Sequence, residues 1–268
     1  MQHSSADVLI LRSVPRGDND RLVSALHAEM GRIFVLVKGA NSKRREAAAT
    51  EPYVWCNMEL YRKNGVTWLK SASVIEPFAG LRFDVDKLFL AAYIADVVCE
   101  LSDEGTPAGE ILPLTLNTYH VLSRTQGEMA RIKAAFEMRA ACIAGFTPDL
   151  VACESCGCEV NEDAYLNVMN GSIVCRSCFE RAQNALPVPT PEAEAQRRLL
   201  MPLDGSALSA LRFVCTADPK RVFAFRLTDD ASLARFCAAA EAYLLNHLER
   251  GFESLQNYKR MARNTPST

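Results

Sequence analysis

The stretch YVWCNMELYRKNGVTWLKSASVI, Tyr53–Ile75, decides how the first third of the chain folds. Val54, Cys56, Met58 and Leu60 alternate with Tyr53, Trp55, Asn57, Glu59 and Tyr61. Successive side chains of a strand point to opposite faces, so the two-residue period puts an aliphatic stripe on one side and aromatic and polar groups on the other. Asn64-Gly65 follows. Both residue types accept positive φ, which a two-residue hairpin turn with the strands' own twist requires. Val66 to about Ile75 is then the returning strand.

Working outward, Ala6–Val14 is a run of Val, Leu and Ile that ends at the turn Pro15-Arg16-Gly17-Asp18-Asn19. Ile33–Val37 is a further strand, closed by Gly39. Arg21–Glu29 suits either strand or helix, and Gly31 breaks it. Five short strands with long loops suit a small Greek-key barrel of the OB-fold type. An SH3-like barrel fits the same count.

Beyond Pro77 the period changes to that of a helix. Asp84–Leu101 carries Leu88, Ala91, Ala92, Ala95 and Val98 as one stripe. Ile111–Leu122 and Glu128–Ile143 read the same way, the second stopped by Gly145 and Pro148. Val151–Arg181 has no helical period. Pro187, Pro189 and Pro191 predict a stiff linker. Helices are expected again over Glu192–Met201, Ser206–Cys215 and Ala231 to about Arg250, with a frayed end at Asn264–Thr268. The expected fold class is α+β: an N-terminal OB-fold β-barrel over 1–79, an α-helical domain over 80–150 and 183–268, and an inserted four-cysteine zinc ribbon over 151–182.

The ribbon rests on spacing. Cys153-x-x-Cys156 and Cys175-x-x-Cys178 stand 18 residues apart, as in four-cysteine zinc sites. Each pair forms a tight knuckle, and two knuckles supply a tetrahedral shell with Zn–S bonds of about 2.3 Å. Ala164–Val168, Asn170-Gly171 and Ser172–Val174 read as the hairpin that returns the second knuckle to the first. Cys158 offers an alternative to Cys156, but Cys156 keeps the spacing of the second pair and precedes Gly157, which the turn needs. Four thiolates leave no open position, so one structural Zn2+ is expected. Of the other cysteines, Cys56, Cys99, Cys142, Cys215 and Cys237 sit in apolar surroundings, where a thiol behaves as a small hydrophobe.

With 49% hydrophobic and 23% charged residues the composition is that of an ordinary soluble globular protein, and the chain can bury a sizeable core. The start lacks the pattern of a signal peptide, and the longest apolar run, Leu88–Cys99, is short and interrupted by Asp96. A cytoplasmic protein without a membrane partner is expected. The net charge of −2 hides a division: residues 1–75 hold 11 Lys and Arg against 7 Asp and Glu, whereas 76–150 hold 6 against 11. An anionic partner is therefore expected at the N-terminal end. The loop Asn41–Glu46 contributes Lys43, Arg44 and Arg45, and Arg12, Arg16, Arg21, Arg32, Lys38, Arg62, Lys63 and Lys70 are spread over neighbouring strand ends and turns. On a small barrel these can converge into a groove that holds a nucleic-acid strand, with Tyr53, Trp55 and Tyr61 as stacking surfaces. Packing inside the protein is the competing role for each aromatic, and ordinary solvation for each cation.

Nothing in the chain points to catalysis. His27-Ala28-Glu29 imitates half of a zinc-deaminase signature, but the nearest C-x-x-C is more than a hundred residues away and already has a second pair. His3, His120 and His247 lack ligand spacing, and no phosphate-binding loop follows Gly39. The protein is not expected to be an enzyme.

The whole chain resembles the RecO recombination-mediator family. The resemblance is carried by Val8-Leu9-Ile10-Leu11-Arg12, Asp20-Arg21-Leu22-Val23, Gly31-Arg32 to Val37-Lys38-Gly39-Ala40 and Glu59-Leu60-Tyr61-Arg62-Lys63. Ala91-Ala92-Tyr93-Ile94-Ala95-Asp96 and the Cys153, Cys156, Cys175, Cys178 set follow in the family's order. Asn41-Ser42 departs from it where a further basic residue is common, and Cys158 is an extra. The resemblance implies an OB-fold, a helical domain and a zinc module. It also implies binding to single-stranded and double-stranded DNA, annealing of complementary strands, and a place in the response to DNA damage. The implied partners are RecR and the single-stranded-DNA-binding protein, with RecA loaded as the outcome. The residues alone leave open an RNA-binding factor with the same parts, or a protein scaffold.

Overall fold

A computed structural model describes residues 2–39, 44–184 and 197–264. They fall into two compact units, residues 1–127 with 252–268, and residues 128–251.

The first unit is built on a closed five-stranded barrel. Its strands are β1 (Gln2–Arg16), β2 (Asp20–His27), β3 (Gly31–Val37), β4 (Trp55–Lys63) and β5 (Val66–Glu76), in the order β1-β2-β3-β5-β4. β3 and β5 run parallel at Leu36 and Trp68, and the remaining pairs are antiparallel. The short helix α1 (Arg44–Ala49) lies between β3 and β4 in the chain, an arrangement consistent with the OB-fold. Alternation fills the interior: Ala6, Val8 and Ile10 of β1, Val23 and Ala25 of β2, Val35 and Val37 of β3, and Cys56, Met58 and Leu60 of β4 form one core, and Ala49 of α1 joins it. The ambiguous Arg21–Glu29 segment is strand as far as His27, because Val23 and Ala25 reach this core, and Ala28 and Glu29 belong to the turn. At the β4–β5 turn Asn64 and Gly65 both hold positive φ, 52° and 78°, as the hairpin demands.

β1 is also buried on its outer side, through Leu9 and Leu11, where it packs against α2 (Val85–Glu100). Asp84 caps α2 by accepting from the backbone N–H groups of Asp86 and Lys87. α2 packs on α3 (Ile111–Arg124), where the Tyr119 hydroxyl donates to the Ala91 carbonyl at 3.1 Å. It also packs on a C-terminal helix, Glu253–Asn264, which the sequence reading did not anticipate. One member of the expected α2 stripe is misplaced: Leu88 is exposed, while Leu90 and Ile94 are buried.

The second unit holds α4 (Met129–Ile143), the cysteine segment with β6 (Ala164–Asn167), β7 (Ser172–Cys175) and α5 (Arg176–Asn184), then β8 (Leu200–Leu203), α6 (Gly205–Thr216) and α7 (Asp230–His247). α4, α6 and α7 pack on one another around Phe136, Leu211, Val214, Phe236 and Leu244. Two expectations are corrected here. Residues Leu200 and Met201 are not the end of a helix but the start of β8, which pairs with β6 opposite β7. The end of the cysteine segment, expected to be non-helical, forms α5. The expected linker prolines, residues 192–196 of the expected helix and residues 265–268 of the frayed end lie outside the described residues. No helix among the described residues is long and apolar enough to cross a membrane.

Candidate functional site

The outward residues of β3 alternate with its core residues, so Arg32, Phe34 and Leu36 share one face, and Lys38 follows in the turn just past the strand. That face forms a groove of about 480 Å³ between the β1–β2 and β4–β5 turns. Arg16 enters it from the first turn, and Arg62, Gly65, Val66 and Thr67 from the second. Arg32 lies 5.6 Å from the Phe34 ring centroid and donates to the Cys99 carbonyl at 2.8 Å, which fixes the guanidinium at the groove wall. Phe34 is 39% exposed and offers an open aromatic face for stacking. Beside it Lys38 sits 5.0 Å from the Trp68 ring centroid. Arg16, Arg62 and Lys63 make no ion pair among the described residues. One carboxylate, Glu104, stands at the rim. It is held there because the loop after α2 pairs with the β2–β3 turn: Gly31 bridges Glu104, and a Cβ at Gly31 would overlap the carbonyl oxygens of Asp103 and Thr106.

The other expected contacts are placed elsewhere. Arg12 pairs with Asp96 of α2 at 2.6 Å, and Arg21 with Glu51 at 2.7 Å. Lys70 pairs with Glu59 at 3.1 Å on the β4–β5 sheet. Lys43 and the side chains of Arg44 and Arg45 lie outside the described residues. Tyr53 is packed edge-on against Tyr119, with centroids 5.6 Å apart, and burial followed by the Asp96 charge pushes its hydroxyl up to about 12. Trp55 lines a separate pocket together with Leu112, Pro113 and Leu116 of α3, and Tyr61 lies near His3. None of these three lines the groove. The aromatic residues that do belong to this face, Phe34 and Trp68, were passed over. The signal for them was present, since Ile33, Val35 and Val37 face inward and leave Phe34 outward.

The second candidate is the cysteine centre. The turn between β6 and β7 carries Asn170-Gly171, as expected, and the strands pair from Ala164↔Cys175 to Asn167↔Ser172. This brings Cys175 and Cys178 back to the first knuckle, so that the Sγ atoms of Cys153, Cys156, Cys175 and Cys178 all lie within 4.8 Å of one another. Cys156 and Cys175 stand 3.9 Å apart. A tetrahedral ion with bonds of about 2.3 Å would set thiolates about 3.8 Å apart, so the donor set fits such an ion in number, chemistry and size. The backbone N–H of Cys175 points at the Cys153 sulfur at 3.3 Å, a further partner for a thiolate. Gly157 takes φ 72°, as the knuckle requires, and its N–H donates to the Cys153 carbonyl at 2.8 Å. Hydrogen bonds from the Cys158 backbone, then from the neighbouring thiols, hold Cys156 down at about 6. Four thiols converging in this way are a metal-binding donor set.

Two family models cover most of the chain. Recombination protein O N terminal matches residues 1–78, and Recombination protein O C terminal matches residues 82–204. A DNA repair protein RecO of Acetivibrio thermocellus is 25% identical over 264 residues, spanning 98% of this chain and 99% of that one. The protein of the same name from Myxococcus xanthus is 31% identical over 203 residues, 74% of this chain and 82% of its own. One from Anaeromyxobacter dehalogenans is 30% identical over 203 residues, 74% and 80%. With the barrel, the helices after it and the cysteine cluster in the order seen here, this chain belongs to the RecO family of DNA repair and recombination proteins.

Proposed function

We propose that the protein works in repair by binding single-stranded and double-stranded DNA on the β2–β3 face of its barrel and annealing complementary strands. With RecR, it would help to load RecA onto DNA covered by the single-stranded-DNA-binding protein. One observation carries the reading: Arg16, Arg32 and Arg62 meet around the exposed ring of Phe34 between the two turns that flank an OB-fold's ligand face. Guanidinium groups neutralise phosphates, and an aromatic face stacks on any base, so such a groove holds a strand without reading its sequence. Neutralised strands repel each other less, and pairing follows from base complementarity. No covalent bond is made or broken, so the protein acts as a binding factor and not as an enzyme. In this reading Cys153, Cys156, Cys175 and Cys178 hold one zinc ion. With four thiolate ligands zinc keeps no open position and serves to fix the chain.

The test is fluorescence anisotropy with a labelled oligonucleotide over a series of salt concentrations. Log affinity should fall linearly with log salt at about −0.7 per neutralised phosphate on single strands, near −3 for about four contacts. Replacing Arg16 and Arg62 together by Gln should flatten that slope by about 1.4 and weaken all sequences alike. A salt response that is flat in the unaltered protein sinks the reading; one that the double substitution leaves unchanged sinks the groove. Unlabelled RNA of equal length competing as well as DNA would move the function to RNA binding.

A further inference from the structure

The four-thiol centre has a fifth thiol against it. The Cys158 Sγ lies 3.1 Å from the Cys156 Sγ. These two are the exposed cysteines of the chain: Cys153 and Cys178 are buried, Cys175 and Cys237 are half-buried, and Cys56, Cys99, Cys142 and Cys215 are buried elsewhere. The knuckle itself holds the pair together. Cys153 donates its N–H to the Cys158 carbonyl at 2.9 Å while Gly157 donates to the Cys153 carbonyl, so the turn folds Cys158 back beside Cys156. Nothing lies within 4 Å of where a Cβ on Gly157 would be, so the turn stands in open space and a solute can reach both sulfurs. Coordination by four cysteines gives Cys158 no role as a ligand.

We propose that Cys156 and Cys158 form a peroxide-responsive pair whose oxidation to a disulfide removes one ligand from the centre and releases its metal. In the first step the Cys156 thiolate attacks one peroxide oxygen. An S–O bond forms, the O–O bond breaks, and hydroxide leaves to be protonated by solvent. In the second step the Cys158 thiol attacks the sulfenic sulfur. The S–S bond forms, the S–O bond breaks, and the hydroxyl departs as water with the Cys158 proton. Two thiols lose two electrons to one peroxide, which ends as two waters. The centre is left with Cys153, Cys175 and Cys178. The release half of the proposal rests on the zinc reading above, whereas the disulfide half does not.

The experiment treats the full-length protein with hydrogen peroxide. It follows released zinc with a chromogenic chelator and maps the thiols by alkylation and mass spectrometry. Cleavage after Glu154 and Glu159 frees residues 155–159, which contain Cys156 and Cys158 and no other cysteine. Expected are the loss of two hydrogens from that peptide, release of one zinc per chain, and release slowed about tenfold or more in Cys158→Ser and Cys158→Ala, whose single exposed thiol stops at the reversible sulfenic acid. The proposal is overturned if residues 155–159 stay reduced, if the disulfide maps to Cys156 and Cys175, or if both variants lose zinc as fast as the unaltered protein. A preparation containing no metal before treatment defeats the zinc reading, and the peptide mass then decides the pair alone.

Discussion

The barrel and the second unit handle polarity in opposite ways. The barrel interior is made of Ala, Val, Ile, Met, Leu and Cys side chains, and its cations are turned outward. The second unit encloses charge: the Lys133 ammonium of α4 lies 2.8 Å from Glu137 of the same helix and 2.8 Å from Glu241 of α7, with Lys133 and Glu137 side chains 7% and 0% exposed. Desolvation works against that ammonium, but the two carboxylates outweigh it and raise its pKa above 10.5. An apolar core stabilises whatever face it carries, so the barrel surface is open to change. A core held by one cation between two carboxylates depends on each member.

The largest effect that can test this contrast is expected at the cysteine centre. Cys153→Ser should abolish metal retention, and since zinc-site binding free energies reach about 10–16 kcal/mol in isolated finger peptides, the β6–β7 segment should lose hydrogen-exchange protection. Barrel amides should keep theirs; loss of protection throughout the chain would erase the distinction. Next comes Lys133→Ala, which strands the buried carboxylate of Glu137 and the half-buried one of Glu241 and should cost about 3–5 kcal/mol in chemical denaturation. The same pair gives a pH signature. Because the lysine's folded pKa is raised, its contribution is complete below the free value of 10.5 and is lost as pH rises through the folded one. Stability that is insensitive to strong alkali would contradict it.

Smaller effects are expected on the barrel, and they should spare its fold. Phe34→Ala should weaken single-strand binding by about 1–3 kcal/mol, the worth of one stacked base, with little change in the thermal midpoint. A large drop in that midpoint with unchanged binding would make Phe34 a packing residue. Smallest of all is Arg12→Gln. Its side chain is 54% exposed and paired with Asp96, so stability should shift by less than about 1 kcal/mol and DNA affinity should hold. A loss of affinity equal to that at Arg62 would extend the interface around the barrel.

How far the sequence could be read tracks the range of the interactions. The alternation over residues 54–60, the Asn64-Gly65 turn and the two C-x-x-C knuckles are local signals, and each led to the element or cluster found. Leu200–Leu203 misled because four residues have no period of their own; they are a strand only through pairing with Ala164–Asn167, more than thirty residues earlier. α5 was hidden by the cysteines around which it starts. In the groove, alternation separated two faces of β4 but could not say what covers the outer one. Tyr53 packs on Tyr119 of α3, and Trp55 shares a pocket with Leu112 of the same helix. The cationic residues divide for the same reason, since only the folded chain shows that Arg12 has Asp96 beside it and Arg62 does not.

The length of β1 has a consequence for how the chain is made. Its second half pairs at once with β2, from Val8↔His27 to Arg16↔Asp20, but its first half must wait for β4, where Gln2 meets Arg62 and Leu9 meets Trp55. The first half of β1 leaves the ribosome well before β4 and stays without that partner until the chain through Arg62 has cleared the exit tunnel. Closure of the cylinder is therefore a late, long-range event, and the slowest step in maturation of this region is expected to be the arrival of β4 rather than the formation of any hairpin.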